Sequence, residues 1–499
     1  MNWCIGLCIF TVACLPLQAV MAIGGQYDLV LHGGRVIDPA SGLNAVRNVA
    51  IADGRIAEVS ERQMHGDLVV DVGGLIVAPG FIDLHAHAQM PLGQHFAVYE
   101  GVTTALELEA GSYPVTALGT HEPFAIEGES RINFGASVSH IFIRDYLFEG
   151  DRAAQSVVHN ALLKMPNNRS SVKAHLTTDQ MQQLENHLNT GLDQGGLGIG
   201  ISLDYMNEAV NRQELELVFE VAAARHAPIF VHVRRNGPAG DPSGLIEVLE
   251  LAERSGAPLH VVHISASGIN GTANFLRLVR EARSRGVSVT METYPYNTGG
   301  TPLTADVMAR DWQSIFGTTY EDLEMAGTGE RLSRATFEKY RKTNPDAFLI
   351  NYYNREEWTR PATVAEDVII ASDSLPMFNL QYKVHPMGIG SFARVLGRYV
   401  REEGALSLYD AITKMTLLPA QVLAGYSPNF TRKGHIGVGA DADIAVFNPR
   451  DVIDNATYLE PYQESSGMVH VLVGGVFVLR DGQMQESAYP GQRLLANPM

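Results

Sequence analysis

Phe81-Ile-Asp-Leu-His-Ala-His87 is an apolar run that closes on two histidines. On a strand, alternate side chains share a face, so His85 and His87 point the same way. The same texture recurs downstream. Residues 103–110, 132–144, 197–204, 228–234, 259–265, 288–296 and 368–374 are short apolar runs, and amphipathic stretches such as 213–225, 244–255 and 274–285 lie between them. Buried strands alternating with crossover helices predict an α/β fold, a (β/α)8 TIM barrel over residues 81–425. Residues 300–365 exceed an ordinary crossover, and their Trp, Tyr and Phe content points to an inserted subdomain over the barrel mouth.

Outside the barrel the pattern changes to short alternating strands with glycine turns. Tyr27-Asp-Leu-Val-Leu-His-Gly-Gly and Leu68-Val-Val-Asp-Val-Gly-Gly precede it, and Met468-Val-His-Val-Leu-Val-Gly-Gly follows it. Residues 23–80 and 426–499 are therefore expected to build one small β-sandwich domain together.

The chain has 499 residues, 45% apolar and 18% charged, with a formal net charge of −18. That size suits one large and one smaller domain. The acidic balance argues against binding nucleic acid through a basic surface. Residues 1–22 carry no charged side chain and end in Val-Met-Ala, which reads as a signal peptide, although no basic residue stands near Met1. An uncleaved anchor is the competing reading, since about twenty apolar residues can span a bilayer. Cleavage after Ala22 predicts a secreted or periplasmic protein with no stable membrane span. It also removes Cys4, Cys8 and Cys14, the only cysteines, so that any metal must be held by histidines and carboxylates. Assembly into an oligomer is left open.

Barrel active sites lie at the C-terminal strand ends. Glu107 and Glu109 share a face near the end of the second strand, His232 ends the fifth, His263 the sixth, and Asp373 the eighth. Each alone has an ordinary explanation: a core histidine, a paired glutamate, a helix N-cap. Gathered at corresponding ends of one ring, they would be costly to bury without a shared purpose. A divalent cation, zinc before others, supplies one.

His-x-His after Pro79-Gly-Phe-Ile-Asp, with the later histidines and Asp373, resembles the amidohydrolase superfamily. Gly101-Val-Thr-Thr, Leu203-Asp-Tyr, His232-Val-Arg, Tyr294-Pro-Tyr, Ser372-Asp-Ser-Leu-Pro, His385-Pro and Arg394-Val-Leu-Gly-Arg-Tyr look like its N-acyl-D-amino-acid deacylase (D-aminoacylase) branch. Lys414-Met-Thr and Gly439-Ala-Asp-Ala-Asp-Ile-Ala-Val-Phe continue the likeness. The resemblance implies one or two zinc ions. His85 and His87 would hold the first, His232 and His263 the second, and Asp373 would join the first as ligand, general base and acid. The bridging place, commonly Cys in this branch, would fall to Glu109, with Glu107 as the fallback.

The resemblance implies hydrolysis of a small-molecule amide at a carbon–nitrogen bond that is not a peptide bond, by metal-activated water. Tyr294 and Tyr205 are candidate oxyanion donors, beside plain packing at the barrel rim. Two basic positions that hold the amino-acid carboxylate in this branch are here Ser265 and Met387, which predicts an altered carboxylate clamp. Arg144, Arg234 and Arg235 are alternative anion contacts, with structural pairing the favoured role for Arg235. Competing functions are a cyclic-amide or lactone hydrolase of the same superfamily and a catalytically silent metal- or ligand-binding protein.

Overall fold

Eight parallel strands lie side by side in chain order. They are β1 (Phe81–Asp83), β2 (Val102–Ser112), β3 (Asn133–Ser139), β4 (Ile199–Ser202), β5 (Ile229–His232), β6 (Leu259–Val261), β7 (Val289–Thr293) and β8 (Ile369–Ile370). Past β8 the Asp373 N–H donates to the His85 carbonyl at 2.9 Å, and Ser374 bridges Ala86 in parallel. These contacts draw the last strand end against the first, and the sheet becomes a TIM barrel. The computed structural model describes residues 27–120, 126, 128–150, 169–345 and 347–496. The expected leader, residues 1–22, lies outside them. Among the described residues, no helix is long and apolar enough to cross a membrane.

The crossover helices bury one stripe each. The helix Arg212–Ala224 starts where the Asn211 side chain accepts the Glu214 N–H, and it turns Leu215, Val218, Phe219 and Ala222 inward. One element departs from expectation. The apolar run 132–144 does not continue as a strand, because the Ser139 side chain accepts the Phe142 N–H and opens the helix His140–Glu149. Arg144 therefore stands on that helix rather than at a strand end.

The two chain ends meet in a nine-stranded sheet. Its middle seam pairs Ile76–Pro79 antiparallel with Ile444–Phe447, Ala78 facing Ala445. Phe81 of β1 stacks on Phe392 at 5.9 Å and packs with Ile76, Ala78 and Phe447, so that one apolar cluster joins sheet to barrel. Truncating such an aromatic costs about 3–5 kcal/mol. Within 300–365, a three-stranded antiparallel sheet places Phe348–Asn351 between Gly299–Pro302 and Leu323–Met325.

Candidate metal centre

Glu109 sits at the middle of the barrel mouth. Its Oε2 lies 3.3 Å from His85 Nε2 and 3.2 Å from His87 Nε2. Its Oε1 lies 2.6 Å from His232 Nδ1 and 3.2 Å from His263 Nε2. Asp373 Oδ1 completes the first side, 3.4 Å from His85 Nε2 and 3.6 Å from His87 Nε2. Two groups of ligand atoms result: His85, His87 and Asp373 on one side, and Glu109, His232 and His263 on the other.

The groups behind these candidate ligands decide which ring nitrogen faces inward. Glu292 accepts the His85 Nδ1–H at 2.7 Å and the His260 Nε2–H at 3.0 Å. Glu107 accepts the His87 Nδ1–H at 2.8 Å. With Nδ1 committed to a carboxylate, each Nε2 turns a lone pair to the centre. Glu107, the fallback bridge, thus stands behind His87 while Glu109 faces the middle. The backbone aims two more of these side chains. His263 and Asp373 have φ of 33° and 48°, left-handed values that are strained for residues other than glycine.

This donor set fits a divalent cation. The two histidine pairs bring ring nitrogens to 3.1 Å from one another. A tetrahedron of zinc ligands at about 2.0–2.1 Å has edges of about 3.3 Å, close to these separations. Burial opposes the charge on Glu109, yet His85 and His232 outweigh it and hold the carboxyl well below its usual range. Burial likewise opposes protonation of His85, but Asp373 and Glu109 raise it well above the ordinary imidazole value. A field that draws protons onto buried imidazoles attracts a metal ion in the same place.

The centre opens into a cleft of about 650 Å³, a volume that includes space open to solvent. Tyr205, Arg235, Asn351 and Tyr353 supply polar side chains to its wall, and Phe316, Phe348 and Leu375 supply apolar ones. Asp204 organises one side. It ion-pairs with Arg235, accepts the Arg235 N–H at 2.9 Å, and accepts Arg310 Nη2 at 2.5 Å. The two guanidiniums overcome burial and keep its carboxyl far below the usual range.

Several sequence candidates take other places. Arg144 is fully buried, binds Glu214 at 2.5 Å, and donates to the Ser171 and Ala174 carbonyls. It is a structural ion pair because the helix start at Ser139 swings it away from the mouth. Ser265 is also buried, its hydroxyl 2.7 Å from Thr293 Oγ1. It lies on the short helix Ile264–Gly268 that begins at the left-handed His263, and its neighbour Ala266 is the residue that lines the cleft. Met387 packs in the core, its sulfur accepting the Thr298 hydroxyl at 3.6 Å. Tyr294 stays behind the wall, where its hydroxyl meets that of Tyr353 at 2.9 Å, and Tyr353 is the tyrosine that reaches the cleft. Arg234 is held by Glu247 at 2.9 Å. Tyr205 and Arg235 do line the cleft.

Sequence reading passed over Asp204 in this role, the Glu292–His260 support, and Asn351. Both ends of the Asn351 carboxamide are buried without a hydrogen-bond partner among the described residues. Leaving such a group unpaired costs about 1–3 kcal/mol.

A family model described as "Amidohydrolase family" matches residues 76–478. An N-acyl-D-glutamate deacylase from Alcaligenes xylosoxydans xylosoxydans is 31% identical over 494 residues, covering 94% of this chain and 96% of that protein. A D-aminoacylase from the same organism is 28% identical over 496 residues, covering 93% and 96%. A crystal structure of N-acyl-D-glutamate deacylase from Bordetella bronchiseptica, complexed with zinc and a phosphonate mimic of the tetrahedral intermediate, superposes with a TM-score of 0.76. It is 27% identical, covering 94% of this chain and all of that one. Matched along nearly its whole length, the chain belongs to the amidohydrolase family, in the N-acyl-D-amino-acid deacylase branch, whose members hydrolyse carbon–nitrogen bonds other than peptide bonds.

Proposed function

We propose that this protein is a zinc-dependent deacylase of N-acyl amines or N-acyl-D-amino acids in which Asp373 moves the proton. The observation that carries this reading is Glu109, set between two histidine pairs with Asp373 beside it at the cleft. His85, His87 and Asp373 would hold one ion, His232 and His263 the other, and Glu109 would join them. When bound, the metal lowers the pKa of water and polarises the acyl carbonyl.

The chain's own groups do the rest. Asp373 is held below the ordinary carboxylate range, where His85 and His87 overcome its burial. Its free carboxylate accepts a proton from the attacking water. It then returns that proton to the amine nitrogen as the acyl–nitrogen bond breaks, so that the amine leaves neutral. Tyr205 stays protonated, because burial pushes its hydroxyl well above the usual value, and it can donate to the developing oxyanion. Asp204 fixes Arg235 against the cleft wall. With Ser265 and Met387 turned away, a free α-carboxylate on the substrate lacks the branch's two basic contacts. Export remains part of the proposal, supported by the uncharged run through Ala22.

The test is turnover of N-acyl-D-amino acids and N-acyl amines by zinc-loaded protein, with metal content measured alongside. Asp373→Asn should lower kcat about 10²–10⁴-fold while the Glu109, His232 and His263 group keeps its metal. Unchanged kcat in the variant, or loaded protein inert toward every N-acyl compound, defeats the reading. Fractionation and N-terminal sequencing of the mature chain test export.

A further inference from the structure

Asn351 ends the middle strand of the inserted sheet, paired with Gly299 on one side and Leu323 on the other. Asn351 is 1% exposed and its side chain lines the cleft, yet among the described residues neither Oδ1 nor Nδ2 has a hydrogen-bond partner. Thr301, two residues along the neighbouring strand from Gly299, lines the same wall with its hydroxyl beside that of Tyr205. Buried polar groups are nearly always paired, so a carboxamide with both ends unpartnered at a cavity wall marks a place where a ligand supplies the partners. Phe348 and Leu375 are apolar, and Arg235, the cation of this wall among the described residues, pairs with Asp204 through Nη1 while its buried Nε–H has no partner among them.

We propose that Asn351 and Thr301 form a subsite for a neutral carboxamide on the amine side of the substrate, and that the subsite selects such compounds over free acids. A carboxamide of the substrate offers one acceptor and two donors, so it can satisfy Nδ2–H and Oδ1 of Asn351 together. A carboxylate only accepts; it can bind Nδ2–H but sets its charge against Oδ1. Unpaired groups left by the wrong ligand are what make such a site discriminate. This specificity rests on the deacylase reading above.

The test compares N-acetyl-D-alaninamide, N-acetyl-D-alanine and N-ethylacetamide as ligands of wild-type protein, Asn351→Leu and Thr301→Val. Binding is measured by calorimetry on zinc-loaded and on chelator-treated protein, and kcat/KM on loaded protein. The wild type should favour the carboxamide over the acid at least tenfold. Asn351→Leu should remove that preference and change N-ethylacetamide less than threefold. It should also raise Tm, because an unpaired buried amide gives way to an apolar group of similar size. Thr301→Val should act in the same direction more weakly, and it reads the subsite even where the Leu variant does not fold. Preference for the acid, equal losses on all ligands, or a lowered Tm with affinity for the carboxamide unchanged overturns the proposal. Inert wild type with intact carboxamide binding would sink the deacylase reading alone. Absence of binding to wild type would sink the subsite.

Discussion

Glu292 joins two histidines that do different work. Through Oε1 it fixes His85, whose Nε2 faces the centre, and through Oε2 it holds His260, whose other nitrogen rests on Thr290 at 2.7 Å. The hydrogen bonds from His260 and His85 overcome burial and bring its carboxyl down to about 2, so it stays charged at neutral pH. Glu292→Gln keeps the shape but can present an N–H to His85. Zinc affinity should fall about 10–100-fold, as for other losses behind a metal ligand, read by competitive chelation; affinity within twofold of wild type would show that the support is dispensable. At this scale the sequence carried the candidate ligands but not the groups behind them. His85, His87, His232 and His263 announce themselves by residue type in apolar strands. Glu292 meets His85 only across the barrel, a pairing far apart in the chain. Glu107 and Glu109 share a strand face, as alternation predicts, and both are buried; which of them reaches the middle depends on the register shift between Glu107 and Ser112.

Among the elements, the helix Met387–Arg394 is tied to the residue after the helix Pro91–Tyr99. Glu100 accepts the Ala393 N–H at 2.9 Å in a fully buried place. Burial pushes its carboxyl up to about 8. A raised folded value means that the native state holds the proton more tightly than the unfolded chain. The contribution to stability is therefore complete below the unfolded value near 4.5 and is lost as pH rises through about 8. Glu100→Gln, neutral at every pH, should melt increasingly above wild type between pH 6 and 9; parallel Tm curves would refute the assignment. Strand positions around the barrel were legible because apolar runs alternate with amphipathic stretches. The end of β3 was not, since Val-Ser-His-Ile-Phe-Ile-Arg is as apolar as a strand. A single hydroxyl, Ser139, decides where it becomes helix. The inward or outward aim of Ser265 was equally hidden, because it hangs on the left-handed turn at His263.

For the molecule as a whole, Asp443 is the knot between barrel and sheet. It accepts the Gly474 N–H at 2.8 Å, the Asn133 Nδ2–H at 3.0 Å and Lys433 Nζ at 2.6 Å. Lys433 is almost wholly buried. Asp443→Ala strands that ammonium with Asp441 alone and should cost about 3–5 kcal/mol, measured by denaturant unfolding; a loss under 1 kcal/mol would contradict the role. That both chain ends form one domain was readable from matching glycine-turned strands. Their seam was not, because Ile76–Pro79 and Ile444–Phe447 are joined by pairing rather than by a turn. This seam also fixes a timetable for the newborn polypeptide. At ribosomal speeds of about 5–20 residues per second, Ile76–Pro79 emerges tens of seconds before the stretch that covers it. Until then its edge is an open template for stray strands. Yield in cells should thus hang on whatever shields that early segment while the rest is still being made.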